Sequence, residues 1–220
     1  MRLQIVMLSF IAILSVPRIS AQGPNLVHSS GIYFAGSALF SSLDGNFDGR
    51  TAFSTGGEFL YAPKMGPGFG AGGILGYRGT NWAYEAGGFY KAHSGAFVGS
   101  PFDTSVIGFN VDIEWTPFTH AVLQPYLAAG VGISTIRVKD GSVSGALVGD
   151  ALYYLGGLRL GLGIQLFQTR EMFIRAQGMY RIDRVVGVQG VADGQRMDLV
   201  SPIDANGFEI SLVIGYMLIY

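Results

Sequence analysis

The stretch "GFGAGGILGYRGTNWAYEAGGFYK", Gly68 to Lys91, alternates, turns and alternates again. Large apolar side chains at Phe69, Leu75 and Tyr77 interleave with Gly70, Gly72 and Gly76. Beyond "GTN" the residues Trp82, Tyr84, Ala86 and Tyr90 share one parity, and Glu85 and Lys91 the other. A period of two is the signature of a strand, and Gly, Thr and Asn suit a tight turn. The segment therefore predicts a β-hairpin with one uncharged apolar face and one face of small and charged residues. Which of these faces meets water decides the fold.

The same alternation recurs over about eight segments, residues 31–40, 69–78, 82–91, 106–115, 124–134, 156–166, 173–182 and 208–220. Most are about 10 residues long, the length a tilted strand needs to cross a bilayer core. The connections alternate too. "GTN", "TPFTHA" and "QTREM" are short, whereas the others run from about a dozen to nearly thirty residues and are rich in Gly, Ser and Asp. Short links at one end and long ones at the other predict a transmembrane barrel, with its turns in the periplasm and its loops outside.

Charge sorts the faces. Asn110, Asp112 and Glu114 share a parity, as do Arg175, Gln177 and Arg181, and Arg159 with Gly161, Gly163 and Gln165. The opposite faces, such as Ile107, Phe109, Val111, Ile113 and Trp115, or Leu158, Leu160, Leu162, Ile164 and Leu166, carry no charge. An eight-stranded interior has room only for a modest set of side chains, so the glycine-bearing polar face belongs inside. Arg or Lys facing lipid at mid-depth costs about 2–4 kcal/mol, which keeps the other parity apolar. Tyr77, Trp82, Tyr84, Trp115 and Phe118, near the short turns, are expected to form an interfacial aromatic girdle. The stretch "TAFSTGGEFLYAP", residues 51–63, either extends the second strand or forms another hairpin, which leaves eight or ten strands open.

Composition agrees with an unusual solvent. Apolar residues make up 49% and charged residues 13%, against roughly 25% charged in an average soluble domain. The net charge of −1 offers no basic face for nucleic acid, and zero cysteines exclude disulfides and thiol chemistry. "MRLQIVMLSFIAILSVPRISAQ" has a basic start, an apolar run, Pro17 and the small Ala21. It is too short and interrupted for a membrane helix and predicts an export signal over residues 1–21. The barrel then occupies residues 22–220.

The hairpin at 68–91, "LQPYLAAGVGIS" at 123–134 and the closing "SLVIGYMLIY" at 211–220 resemble the small eight-stranded outer-membrane barrels, a family that includes the OmpA membrane domain and OmpX. The resemblance implies an up-and-down barrel in the outer membrane of a Gram-negative-type bacterium, surrounded by outer-membrane lipid. It also implies insertion by the barrel assembly machinery, with Gly215, Leu218 and Tyr220 matching the family's C-terminal assembly signal. Val213 stands where that family more usually has a polar residue, and Tyr220 where it has Phe.

"GFGAGG", Gly68 to Gly73, has dinucleotide-loop spacing but opens no helix, so its glycines read as strand positions facing the lumen. "DGNFDG", Asp44 to Gly49, resembles the first half of a calcium loop. Asp44, Asn46 and Asp48 are thus a candidate divalent-cation site, although the loop's twelfth position is Thr55 rather than Glu. Of the three histidines only His93, beside Ser94 and with Asp103 in the same loop, could form a hydrolase site; the expectation is a non-enzyme without a cofactor. The inward charges carry more weight. Arg78, Glu85, Asp112, Glu114 and Arg175 are expected toward the turn end, and Lys91, Arg159, Arg181 and Glu209 toward the loops. Arg78 should lie within reach of Glu85 across the hairpin. Charges removed from water persist only when paired, which predicts a polar plug rather than an open channel. Asp183, Arg184, Asp193, Arg196, Asp198 and Asp204 read as a solvated loop. The functional expectation is a structural, surface-interaction or adhesion barrel with an unidentified extracellular ligand. The alternatives are a narrow or gated, porin-like pore and, less favoured, a lipid-modifying enzyme.

Overall fold

The computed structural model describes residues 30–43, 51–53, 55, 59–61, 64–97, 100–119, 123–139, 150–169, 171–190, 196–200 and 203–218. Eight long strands run in chain order around a ring: β1 Gly31–Leu43, β2 Lys64–Arg78, β3 Trp82–Phe97, β4 Ser100–Trp115, β5 Gln124–Val138, β6 Ala151–Gln168, β7 Met172–Gly190 and β8 Gly207–Leu218. Each pairs antiparallel with its sequence neighbours, and β8 returns to β1 from Gly207↔Leu43 to Leu218↔Ile32. The protein is a closed, all-β barrel. Residues 51–53 and 59–61 form a separate two-stranded hairpin, which settles the strand number at eight. The predicted signal segment and His28 lie outside the described residues.

The turns hold the short-link end together. Gly79 N–H donates to the Trp82 carbonyl at 2.7 Å, and Asn81 bridges to the next turn through Thr116. At the turn between β6 and β7, Thr169 Oγ accepts from Met172 N–H at 2.9 Å while its own N–H donates to the Met172 carbonyl at 2.7 Å. Strand boundaries at this end match the sequence reading within two or three residues. At the other end the strands run further than their alternation suggests: β3 and β4 continue to Phe97 and Ser100, so a segment expected as a long loop is instead an extended hairpin.

The extension has a physical cause. Along β4 the outward residues Trp115, Ile113, Val111, Phe109 and Ile107 are followed by Ser105 and the exposed Asp103; along β5, Val131 and Ile133 are followed by Thr135, Arg137 and Lys139. Above the same level the inward residues become apolar. Leu39, Met65, Phe89, Val106, Ile136, Val138, Ala151, Tyr153, Leu155, Val185 and Val188 pack together beneath Ile203 and Ala205 from the segment before β8. Within the membrane belt the wall is apolar outside and holds the charges inside, among ring and aliphatic side chains; beyond it the wall is polar outside and mainly apolar inside, as in a soluble barrel. That reversal marks where lipid gives way to water. It also corrects the expectation of a uniformly polar interior.

Lumen glycines give the side chains room. Phe173 pairs directly across from Gly215, Tyr126 from Gly163, and Tyr33 from Gly76, and each ring lies where a Cβ on its glycine would be. Overpacking of this kind costs about 1–3 kcal/mol, so Gly215→Val should lower the unfolding free energy of the refolded barrel, read from urea titration, by that amount. Gly36→Ala, on the lipid face with nothing near its would-be Cβ, should change it little; equal losses in the two variants would refute the ring-seat account.

Candidate functional site

The sequence-predicted charges converge inside the barrel. Glu85, Lys91, Asp112, Glu114, Arg159, Arg175, Arg181 and Glu209 are each no more than 4% exposed, and the Arg78 side chain is 12% exposed. They form two groups. Nearer the turns, Arg175 of β7 donates through Nη1 to Glu114 of β4 at 2.7 Å and through Nη2 to Glu85 of β3 at 2.5 Å. The Tyr33 hydroxyl donates to the same Glu85 carboxylate. Arg78 donates to Gln165 Oε1 at 2.6 Å and stands 3.9 Å from Glu114. The expected Arg78–Glu85 contact is therefore replaced: Arg175, reaching across the lumen, takes Glu85, and Arg78 turns to Gln165 and Glu114.

Nearer the loops, Arg159 bridges Asp112 at 2.6 Å and Glu209 at 3.1 Å, while Lys91 meets the other oxygen of Glu209 at 2.8 Å. Asp112 thus belongs to this group and not to the turn-end group expected from its position. The reason lies in the register Asp112↔Gly130↔Arg159. With no Cβ at Gly130, the carboxylate lies across it toward Arg159, and Asn110 donates to it at 2.5 Å. Arg181 pairs with Asp183 at 2.8 Å.

Asp183 is the functional residue that the sequence reading missed. It was assigned to a solvated loop, yet it is 1% exposed and lies in β7. Extending the inward parity of Arg175, Gln177 and Arg181 by one step would have found it. Arg184, Arg196, Asp198 and Asp204, by contrast, are solvent-facing. With Asp183 included, five carboxylates meet five cations in the described lumen, and the interior is formally neutral. The cations also rest on rings. Arg175 lies 5.5 Å from the Phe173 centroid and 5.6 Å from that of Tyr126, while Phe89 lies between Lys91 at 4.6 Å and Arg181 at 5.2 Å. Ring faces attract such cations most strongly where water is excluded.

The hydrolase arrangement is not assembled. His93 faces inward and Ser94 outward, and Asp103 is exposed beside Lys139. His93 instead contacts Ser41 Oγ through Nε2 at 3.2 Å and the Gly66 carbonyl through Nδ1 at 3.0 Å. Because a carbonyl only accepts, Nδ1 carries the proton and neutral Nε2 accepts from Ser41. Both side chains are buried in the packed outer lumen. Asp44, Asn46, Asp48, His120 and Tyr220 lie outside the described residues. Gly215 sits under Phe173, Leu218 faces lipid, and Val213 packs inward with Tyr33, Phe173 and Met217. A polar residue at 213 would face this apolar cluster, which accounts for the valine.

Eight tilted strands, an apolar belt and a polar filled lumen define the small outer-membrane β-barrel fold. The outer membrane protein OprG from Pseudomonas aeruginosa has this fold, at 15% identity and a TM-score of 0.60 over 88% of this chain and 98% of its own. Neisserial surface protein A also has it, at 15% identity and a TM-score of 0.50 over 87% and 100%. No protein-family model matches the chain, and no curated protein matches it in sequence.

Removing one partner of a buried ion pair leaves the other charge uncompensated and costs about 3–5 kcal/mol. Arg175→Ala, which leaves Glu85 without its cation and Glu114 with Arg78 alone at 3.9 Å, should lower the unfolding free energy by about that amount in urea titrations. Arg137→Ala breaks a half-exposed pair with Asp150 and should cost about 0–1 kcal/mol. Similar losses in both would remove the lumen ion pairs as the stabilising element.

Proposed function

We propose that the protein is an integral outer-membrane barrel, exported by residues 1–21, whose closed lumen provides rigidity and whose surface segments carry its interactions. On this reading it is a structural, surface-interaction or adhesion protein. The observation that supports it most is the lumen itself. Its charges are matched by opposite partners, Arg159 and Arg175 each bridging carboxylates from other strands and Arg181 pairing with Asp183 within β7, and an apolar cluster lies over them on the loop side. Ions crossing such an interior would have to displace paired, desolvated charges and then enter hydrocarbon-like packing. The apolar belt supports the membrane location, since Ile107, Val131, Leu158 and Ile214 are all at least half exposed and have no polar cover.

Planar-bilayer recording tests the closed lumen. Wild-type protein should show no steady conductance, whereas Arg159→Ala, which takes the cation from Asp112 and leaves Glu209 with Lys91 alone, should produce intermittent openings. A steady wild-type current would sink the proposal. Heat-modifiable migration of the outer-membrane fraction, with surface protease digestion, tests the location separately.

A second reading, a narrow path for a small apolar solute, is favoured by one observation: the outer lumen is lined by Leu39, Phe89, Val106, Ile136 and Tyr153 rather than by charge. Equilibrium dialysis against a small apolar dye separates the two readings. Saturable binding that is lost in Val106→Asp supports the path, and absence of binding leaves the closed barrel.

A further inference from the structure

The outer wall of β5, β6 and β7, just above the lipid belt, carries three exposed arginines in one patch. Pairing joins Arg137↔Leu152↔Gln189 and continues to Arg196↔Gln189. The level below runs Thr135↔Tyr154↔Gly187, and the next Ile133↔Gly156↔Arg184. Below these lie Val131, Leu158 and Ile182, all lipid-facing. Side-chain exposures of 52% for Arg137, 65% for Arg184 and 70% for Arg196 leave the guanidinium groups accessible. The Arg196 guanidinium lies over Gly187, beside Tyr154, whose hydroxyl donates to Gln189 Oε1 at 2.8 Å. At Gly156 the surface is open, with nothing within 4 Å of a would-be Cβ.

Resting on the outer-membrane location proposed above, we propose that this patch binds the diphosphorylated saccharide headgroup of an outer-leaflet glycolipid of the lipid A class, with its acyl chains lying over Ile133, Leu158 and Ile182. The vertical order carries the argument. An amphiphile held by its chains on the apolar residues brings its headgroup to the level of Tyr154 and the arginines. Guanidinium forks match phosphate oxygens in geometry and charge, and all three cations here are Arg. Arg184 and Arg196 are only loosely engaged, at 3.6 Å from Asp204 and 3.9 Å from Asp198. Such exposed pairs are weak and yield readily to a dianion. Arg137 is tied more closely, at 2.6 Å from Asp150. Strands about 4.8 Å apart set Arg137 on β5 and Arg184 on β7 about 10 Å apart across the wall, and the four residues between their pairing levels add about 13 Å along it, so the two backbone positions are roughly 16 Å apart, beyond the span of one phosphate. That separation suits two phosphates on one disaccharide better than the single phosphate of a phospholipid.

The test uses the full chain refolded in phosphatidylcholine nanodiscs and titrated with diphosphorylated lipid A, with bound lipid counted by native mass spectrometry. The arms are dephosphorylated lipid A, phosphatidylglycerol, and the triple variant R137Q/R184Q/R196Q. Losing the charge-assisted contacts should weaken lipid A binding roughly tenfold or more in the triple variant, and raised salt should weaken the wild type. Asp198→Asn with Asp204→Asn removes the competing carboxylates and should tighten binding, which keeps the test open if the triple variant fails to show heat-modifiable migration. Dephosphorylated lipid A binding as well as the phosphorylated form, phosphatidylglycerol matching lipid A, or no effect of either variant set would each overturn the proposal. Fractionation that places the chain in another compartment would overturn the location while leaving the binding result standing.

Discussion

Arg175 has no exposed surface, and a guanidinium denied water must find its counter-charges inside the protein. Much of the barrel follows from how that is done. Its two carboxylates come from β3 and β4, across the lumen from its own strand β7, so the ring has to close at a diameter that one arginine can span. Its faces lie against Phe173 and Tyr126, and those rings occupy space only because Gly215 and Gly163 stand directly opposite them. A slip of one residue between β7 and β8 would put Val213's neighbours under Phe173 and turn every inward side chain outward. Electrostatics, ring packing and strand register are therefore one constraint described three ways.

Buried ion pairs are rarely the most stabilising filling for a protein interior, because desolvation offsets most of the attraction. A membrane barrel has a narrower choice. Its outer surface must be apolar, so an equally apolar lumen would leave no polar pattern to distinguish inside from outside during insertion, and the alternation that sets register would vanish. Matched charges inside restore that distinction. Where the wall emerges from lipid the requirement lapses, and the structure reverts to the soluble solution of an apolar core under a polar surface, seen in Ile136 and Val138 facing in while Thr135, Arg137 and Lys139 face out.

This reversal also explains what the sequence made legible. Inside the belt the signal is strong: Trp82, Tyr84 and Tyr90 against Glu85 and Lys91 can be assigned to faces without a structure, and turns rich in Gly, Thr and Pro mark the short-link end. Above the belt the inward side becomes apolar while the outward side becomes polar, so an eye trained on charged-inward parity sees the strand stop. The last alternations of β3, β4 and β6 escape the sequence reading for that reason, whereas Asp183 continues the charged parity of Arg181 and lies one residue beyond the expected strand, 173–182. Ion-pair partners were illegible for a different reason. Hairpin register places Arg78 opposite Ala83 and near Glu85, but which cation reaches Glu85 depends on barrel diameter and on rings from β5 and β7, quantities set only when the ring closes.

The two levels of the wall divide the physical labour. Within the belt each of the ten described charges has an opposite partner, so the described lumen offers an ionic ligand no unmatched charge, and any added ion would have to break a desolvated pair. Above the belt three of the four described pairs are looser and wetter: Lys139–Asp103, Arg184–Asp204 and Arg196–Asp198 stand at 3.6–3.9 Å with about half or more of each side chain in solvent, while Arg137–Asp150 is closer at 2.6 Å. Such pairs add little to stability, and for that reason exchanging one for a contact to another molecule costs the fold little. On the function proposed above, recognition accordingly belongs to the outer wall, on a scaffold whose rigidity is secured by charges held inside the lumen.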